Sequence, residues 1–436
     1  MGTLLIKGGR IIDPAQGLDR IGDIFISSFK IESYDAPAGA EDCLVLDATG
    51  LIVCPGFVDL HCHLRQPGYE HKETIATGTE AAAVGGYTTV CCMPNTNPPI
   101  DSKAVVDFIK LTAITDGAAR VLPIGCITHN RDGKELSNLG ELIEAGVVAL
   151  SDDGSPVSDA QLMGDALEDS LTHGKLIIEH CEDVTLSGNG VMNAGDLAQK
   201  LKLEGIPAEA EEMAIERNVV LASLTGARLH IAHVSTADSV DIIRLAKEQG
   251  AKVTAEVTPH HLTLTEDCVV SNGRADTNAK VNPPLRKQAD VDALVRGLQD
   301  GTIDAIATDH APHADEDKMC DFNQAAFGIS GFETALGSCM KLVHAKQIDL
   351  TMLITKLTIE PARVLDIALL GTLRIGAPAD VTIFDPDAEW EVDADTFASM
   401  GRNTPLDGCM LKGKVMATVF GGKVVYRDKD IKLEAV

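Results

Sequence analysis

The segment FVDLHCHLR places His61 and His63 two positions apart in an apolar run. Alternate side chains of a strand share a face, so both imidazoles point one way and Cys62 the other. Such a pair can clamp a divalent cation, although the same spacing also serves histidines that only hydrogen-bond at the edge of a core. Further polar residues close other apolar runs: Asp152 and Asp153 in GVVALSDDG, His180 in KLIIEHC, His233 in LHIAHVS and Asp309 in IDAIATDHAPH. Each alone has an ordinary structural explanation. Together, four imidazoles and two carboxylates match a pair of metal ions sharing an activated hydroxide, the nucleophile of a hydrolytic reaction. His61, His63 and Asp309 would hold one ion and His180 and His233 the other, joined by one of the adjacent aspartates. Alternation says only that Asp152 and Asp153 point opposite ways, and leaves the bridge open between them. These donors suit one or two Zn²⁺ ions per subunit, and would also accept Mn, Co or Fe. Asp309 is placed to take a proton and return it to a leaving nitrogen. Arg65, two positions past His63, is expected on the same strand face, where its guanidinium fork fits a carboxylate.

These residues need a scaffold that gathers strand ends. From Phe57 to Asp309 one unit recurs: a short apolar run, a polar or Gly-rich turn, then a helical stretch. The runs are FVDLHCHL, YTTVCCMPN, RVLPIGCIT, GVVALSDD, KLIIEHC, LHIAHVS, KVTAEVTP and IDAIATDH. Helical periodicity fills stretches between them, such as SKAVVDFIKLTAITDG and QADVDALVRGLQDG, several opening on Ser or Asp and closing on Gly. Eight alternating units predict an α/β fold, a (β/α)₈ TIM barrel over residues 56–370, which carries its chemistry at the C-terminal ends of the strands. An open doubly wound sheet is the competing arrangement. Residues 1–55 and 371–436 are rich in short strands instead, and are expected to pair as a small composite β-sandwich domain.

The formal charge of −28 argues against a nucleic-acid surface, which requires clustered Lys and Arg. An anionic substrate would need a local cation in so negative a field, a part that Arg65 can play. No apolar window approaches the ~20 residues that cross a bilayer, and a cytoplasmic protein is expected. The 11 cysteines are scattered and odd in number, and Cys62, Cys91, Cys92 and Cys126 lie in strand-like runs, so reduced thiols are expected.

In order along the chain, GFVDLHCHLRQPG, CMPNTNP, ALSDDGSP, IEHCED, IAHVST, VTPHHLTLTE, VNPPLR and ATDHAPH resemble the type I dihydroorotases of the amidohydrolase superfamily. The resemblance covers nearly the whole chain. It implies reversible cyclisation of N-carbamoyl-L-aspartate to L-dihydroorotate in de novo pyrimidine (UMP) biosynthesis. It also implies Asp153 as the metal bridge, since no lysine lies between Glu144 and Gly174, where the hydantoinase-like branch carries a carboxylated lysine. Arg65, Asn95, Asn282 and His313 resemble the ligands of the ring carboxylate, and the AFGISG loop, with Phe327 and Gly328, resembles the one that offers backbone groups to the ring. A homodimer and a complex with aspartate transcarbamoylase are further implications. The alternatives are a hydantoinase, dihydropyrimidinase or allantoinase on the same scaffold, and a non-catalytic scaffold for the transcarbamoylase. Arg65, Asn95 and the missing lysine oppose the first, and the full ligand set opposes the second. His260 and His261 carry no implied ligand role, and His310 is expected to be structural.

Overall fold

The structure is a computed structural model that describes residues 3–35, 43–271 and 273–435. Among these, eight short strands in the middle of the chain carry a parallel pairing: β1 (Phe57–Cys62), β2 (Tyr87–Cys92), β3 (Arg120–Pro123), β4 (Ala149–Leu150), β5 (Leu176–Glu179), β6 (Arg228–Ile231), β7 (Val253–Val257) and β8 (Ala305–Ile306). Strands β1 to β3 pair in parallel, and so do β4 to β8. Single parallel bridges join the two sets, from Gly125 to Leu150 and from Cys62 to His310, so the pairing leads from β1 through β8 back to β1. Strands β1, β2 and β5 are buried at every residue, which is why their sequences run apolar without alternation.

A helix follows each strand, including Ile75–Val84, Lys103–Asp116, Ala160–Thr172 and Phe332–His344. Thr74 caps the first in a capping box and Asp159 caps the third of these, accepting from the Gln161 and Leu162 N–H groups. Ser102 stands at the cap position of Lys103–Asp116 without a side-chain cap bond. The runs GVVALSDD and IDAIATDH shorten to two-residue strands because their polar ends leave the ladder: Asp152 accepts from the Ile127 N–H, and Asp309 adopts a left-handed φ of 45°.

Strands from both ends of the chain share one nine-stranded sheet. Thr3–Asp13 runs antiparallel to Leu18–Ser27 along one edge. Its other edge forks, Thr3 to Lys7 lying parallel to Cys43–Asp47, and Arg10 and Ile11 parallel to Ile52–Pro55. Gly8, at φ 73°, allows the fork. Ile52–Pro55 then pairs with Val381–Glu391, followed by Met410–Phe420 and Lys423–Arg427, while Leu433–Ala435 returns to Cys43–Asp47. Cys62, Cys91, Cys92 and Cys126 are buried free thiols. Among the described residues no helix is long and apolar enough to cross a membrane.

Candidate metal centre

The ends of β1, β4, β5, β6 and β8 bring the ionisable residues of the sequence together. In two overlapping groups, His61, Asp153 and His233, and His61, His63 and Asp309, the ligand atoms lie within 4.8 Å of one another. His61 Nε2 stands 3.4 Å from Asp153 Oδ1 and 3.5 Å from Asp309 Oδ1. His63 Nε2 lies 2.9 Å from Asp309 Oδ1 and 3.7 Å from Asp153 Oδ2. His233 Nε2 and His180 Nδ1 approach Asp153 Oδ1 at 3.7 and 3.9 Å. Asp153 is therefore within 4 Å of all four imidazoles, whereas Asp152 is turned away onto the N–H groups of Ile127 and Thr128.

The backbone kinks to aim these groups. His233 and Asp309 take left-handed φ values of 32° and 45°, conformations that cost non-glycine residues of order 1–3 kcal/mol and concentrate at functional sites. Arg65 arrives differently from the alternation argument: β1 ends at Cys62, and a left-handed backbone at φ 62° carries Arg65 round to the same cavity.

The outward nitrogen of three imidazoles is held by an oxygen. His61 Nδ1 meets Glu256 Oε1 at 2.8 Å, His63 Nδ1 meets Asn95 Oδ1 at 2.9 Å, and His180 Nε2 meets Glu182 Oε2 at 2.9 Å. These oxygens only accept, so each ring donates outward and directs its other nitrogen at the cluster. His61 Nε2 is fully buried and has no hydrogen-bond partner. Zinc bonds of about 2.0–2.1 Å in tetrahedral array place ligand atoms about 3.3 Å apart, close to the separations found here. The donor set thus fits a divalent cation.

Burial opposes charge on His61, Asp153 and Asp309, yet opposite charges prevail. Asp153 and Asp309 hold His61 well above the ordinary imidazole value, and the surrounding imidazoles hold both aspartates below the usual carboxylate range. Glu256 is drawn down to about 2, against its burial, by His230 and His61.

A cavity of about 230 Å³ opens over the cluster, lined by His63, Asp153, His180, His233 and Asp309 together with Arg65, Asn95, Asn282, His313, Phe327 and Gly328. Arg65 is its cation. Desolvation lowers Arg65 to about 10, still protonated at neutral pH, and its Nε donates to Pro312 O at 3.1 Å. His313 is held down to about 3 by burial and then by Arg65, Lys318 and Lys72, so it is neutral. Its Nε2–H donates to Phe327 O at 2.9 Å. Asn282 Nδ2 donates to Glu182 Oε2 at 2.9 Å.

The sequence reading passed over Glu256, Glu182 and His230. A signal existed for Glu256, a charged residue inside a buried strand. His230 bridges Glu256 Oε2 at 3.1 Å and the Thr254 hydroxyl at 2.7 Å. His261 is bound to Thr258 and Pro283 O, and His310 accepts from the Gly331 N–H.

A family model described as Dihydro-orotase-like matches residues 50–239. A dihydroorotase of Thermoanaerobacter sp. (strain X514) is 51% identical over 434 residues, covering 99% of each chain. One of Pelotomaculum thermopropionicum is 51% identical over 430 residues, covering 98% of this chain and 100% of its own. Among solved structures, the L-hydantoinase (dihydropyrimidinase) of Arthrobacter aurescens has a TM-score of 0.86 at 25% identity, covering 100% of this chain and 98% of that one. Dihydropyrimidinase from Brevibacillus agri NCHU1002 follows at 0.84 and 23%, covering 99% and 97%, a likeness of fold. With half its residues shared along the full length of such relatives, and its imidazoles and carboxylates gathered under one cavity, the chain belongs to the dihydroorotase family.

Proposed function

We propose that this chain is a dihydroorotase, a cyclic amidohydrolase that interconverts N-carbamoyl-L-aspartate and L-dihydroorotate in pyrimidine synthesis. The observation that carries this reading is Asp153 within reach of four imidazoles, in a cavity that Arg65 also lines. His61, His63 and Asp309 would hold one Zn²⁺ and His180 and His233 a second, with Asp153 between them. Bound there, two zinc ions supply Lewis acidity at the ring carbonyl and a water acidified to near neutrality.

The rest falls to the chain. Arg65 presents its fork to the ring carboxylate, with Asn95, Asn282 and His313 around it and backbone groups of Phe327 and Gly328 along the ring. Asp309, ionised in this setting, accepts a proton on a carboxylate oxygen as water attacks the ring amide, and passes it to the departing nitrogen. Cyclisation runs the same transfers backwards, Asp309 taking the proton of the attacking nitrogen and returning it to the departing oxygen.

The same reading makes the ring a (β/α)₈ barrel over 56–370 and the joined ends, 1–55 and 371–436, a β-sandwich. The two bridges that link the strand sets support the barrel. The fork at Gly8 supports the sandwich, as does one apolar cluster that holds Leu46 together with Ile383 and Val419. A cytoplasmic homodimer, and a complex with aspartate transcarbamoylase, follow from the family resemblance.

The test is an assay of the zinc-loaded protein on dihydroorotate and N-carbamoyl-L-aspartate beside hydantoin and allantoin. Preferred turnover of hydantoin or allantoin, or a folded protein inactive on all four, refutes the proposal.

A further inference from the structure

Two separate stretches of the cavity wall meet on Asn403, a residue of the C-terminal region outside every strand. Its side chain is 3% exposed, and each half of its carboxamide is used twice. Nδ2 donates to Ala311 O at 3.0 Å and to Gly328 O at 2.9 Å. Oδ1 accepts from the His313 N–H and from Ser330 Oγ, both at 2.9 Å. The Asn403 carbonyl takes another bond from the Ser330 N–H at 2.8 Å. One planar group thus joins the segment that carries His313 to the segment that carries Phe327 and Gly328.

The strap leading to it is fixed as well. Ser399 Oγ and the Met400 N–H both donate to Glu73. Gly401 packs so tightly on the His313 segment that a Cβ there would stand 2.4 Å from Pro312 Cβ. Neither Asn403 nor Gly401 lines the cavity.

We infer that Asn403 is a positioning residue that sets the gap between His313 and the Phe327–Gly328 backbone, and with it the fit of the substrate ring. The inference rests on reading that cavity as the dihydroorotate site. Asparagine suits the post because it alone, at this size, offers two donors and two acceptors in one plane. Aspartate has the same shape but no donors, and would turn a carboxylate toward Ala311 O and Gly328 O.

The experiment uses the full-length zinc-loaded enzyme, with Asn403→Asp, Gly401→Ala and His313→Ala alone and in pairs with His313→Ala. We expect Asn403→Asp to raise KM for dihydroorotate about 10-fold or more, with kcat within about threefold and zinc content unchanged. In the His313→Ala background the same substitution should raise KM by a smaller factor, since one of the groups it positions is already gone. Gly401→Ala leaves Asn403 itself unaltered and presses on Pro312 and on the Ser330 hydroxyl that Asn403 holds; it carries the same expectation, and decides the matter should Asn403→Asp not fold. An unchanged KM overturns the inference. So does a parallel loss of kcat, zinc and melting temperature that is indifferent to His313, which would make Asn403 merely structural. A wild-type protein inactive on dihydroorotate removes instead the reading underneath, before any variant is made.

Discussion

Glu256 and His61 share a 2.8 Å hydrogen bond although 195 positions separate them and neither is touched by solvent. The carboxylate accepts the Nδ1 proton and so leaves Nε2 free to face Asp153 and Asp309. Glu256→Gln keeps the outline but removes the charge and sets an amide N–H against His61 or His230. Zinc affinity should fall 10–100-fold, read by competition with a chromophoric chelator. Undiminished affinity would reduce Glu256 to a packing role.

Asp309→Asn should lower turnover by about 10²–10⁴-fold in both reaction directions, because an amide cannot carry the proton. Steady-state rates near those of the wild type would disprove the shuttle.

Arg65→Ala should act on KM for dihydroorotate while zinc content holds, since Arg65 bonds Pro312 O and lies against His313 rather than within the imidazole cluster. Arg65→Lys should restore little, a point charge being no substitute for a bidentate fork. Loss of zinc in Arg65→Ala, measured by elemental analysis, would contradict this placement.

Dialysis against a chelator should abolish turnover and lower the melting temperature, with both returning on addition of zinc, because an ion that binds only the folded state stabilises it. Full activity in the metal-free protein would be incompatible with the proposed centre.

Glu333 predicts a pH dependence away from the active site. Burial pushes its carboxyl up to about 7, although N–H groups of Ser399 and Ala398 favour the ionised form. An unfolded chain loses that proton near 4.5, so stability falls as pH rises from there to about 7, then levels off. Glu333→Gln can still accept from Ser399 and should gain about 2–3 kcal/mol in urea unfolding at pH 8, a gain that vanishes toward pH 4. An equal gain at both pH values would place its origin elsewhere.

Much of this molecule is written locally in its sequence, and the remainder depends on register. YTTVCC and LIIE read as strands because a parallel strand buried on both faces is simply apolar. The imidazoles and Asp309 stand out because polar groups ending such runs are conspicuous. Alternation could not choose between Asp152 and Asp153; the N–H groups of Ile127 and Thr128, which occupy Asp152, decide which one faces the imidazoles. Glu256 meets His61 only through the way β7 and β1 are arranged around the ring, which no short window encodes. Asn403 is quieter still, an ordinary turn former ahead of Thr404 and Pro405, and its partners lie 73 to 92 positions away.

The shared terminal sheet bears on how the molecule is made. Ile52–Pro55 has Thr3–Asp13 on one side, but its other neighbour, Val381–Glu391, leaves the ribosome only after the entire ring has been synthesised. Cys43–Asp47 likewise waits for Leu433–Ala435. Through most of translation the nascent polypeptide therefore exposes open strand edges, the kind of surface that recruits chaperones or other unfinished chains. The last hydrogen bonds to form act as a seal, so that a prematurely terminated product is left with its first strands bare.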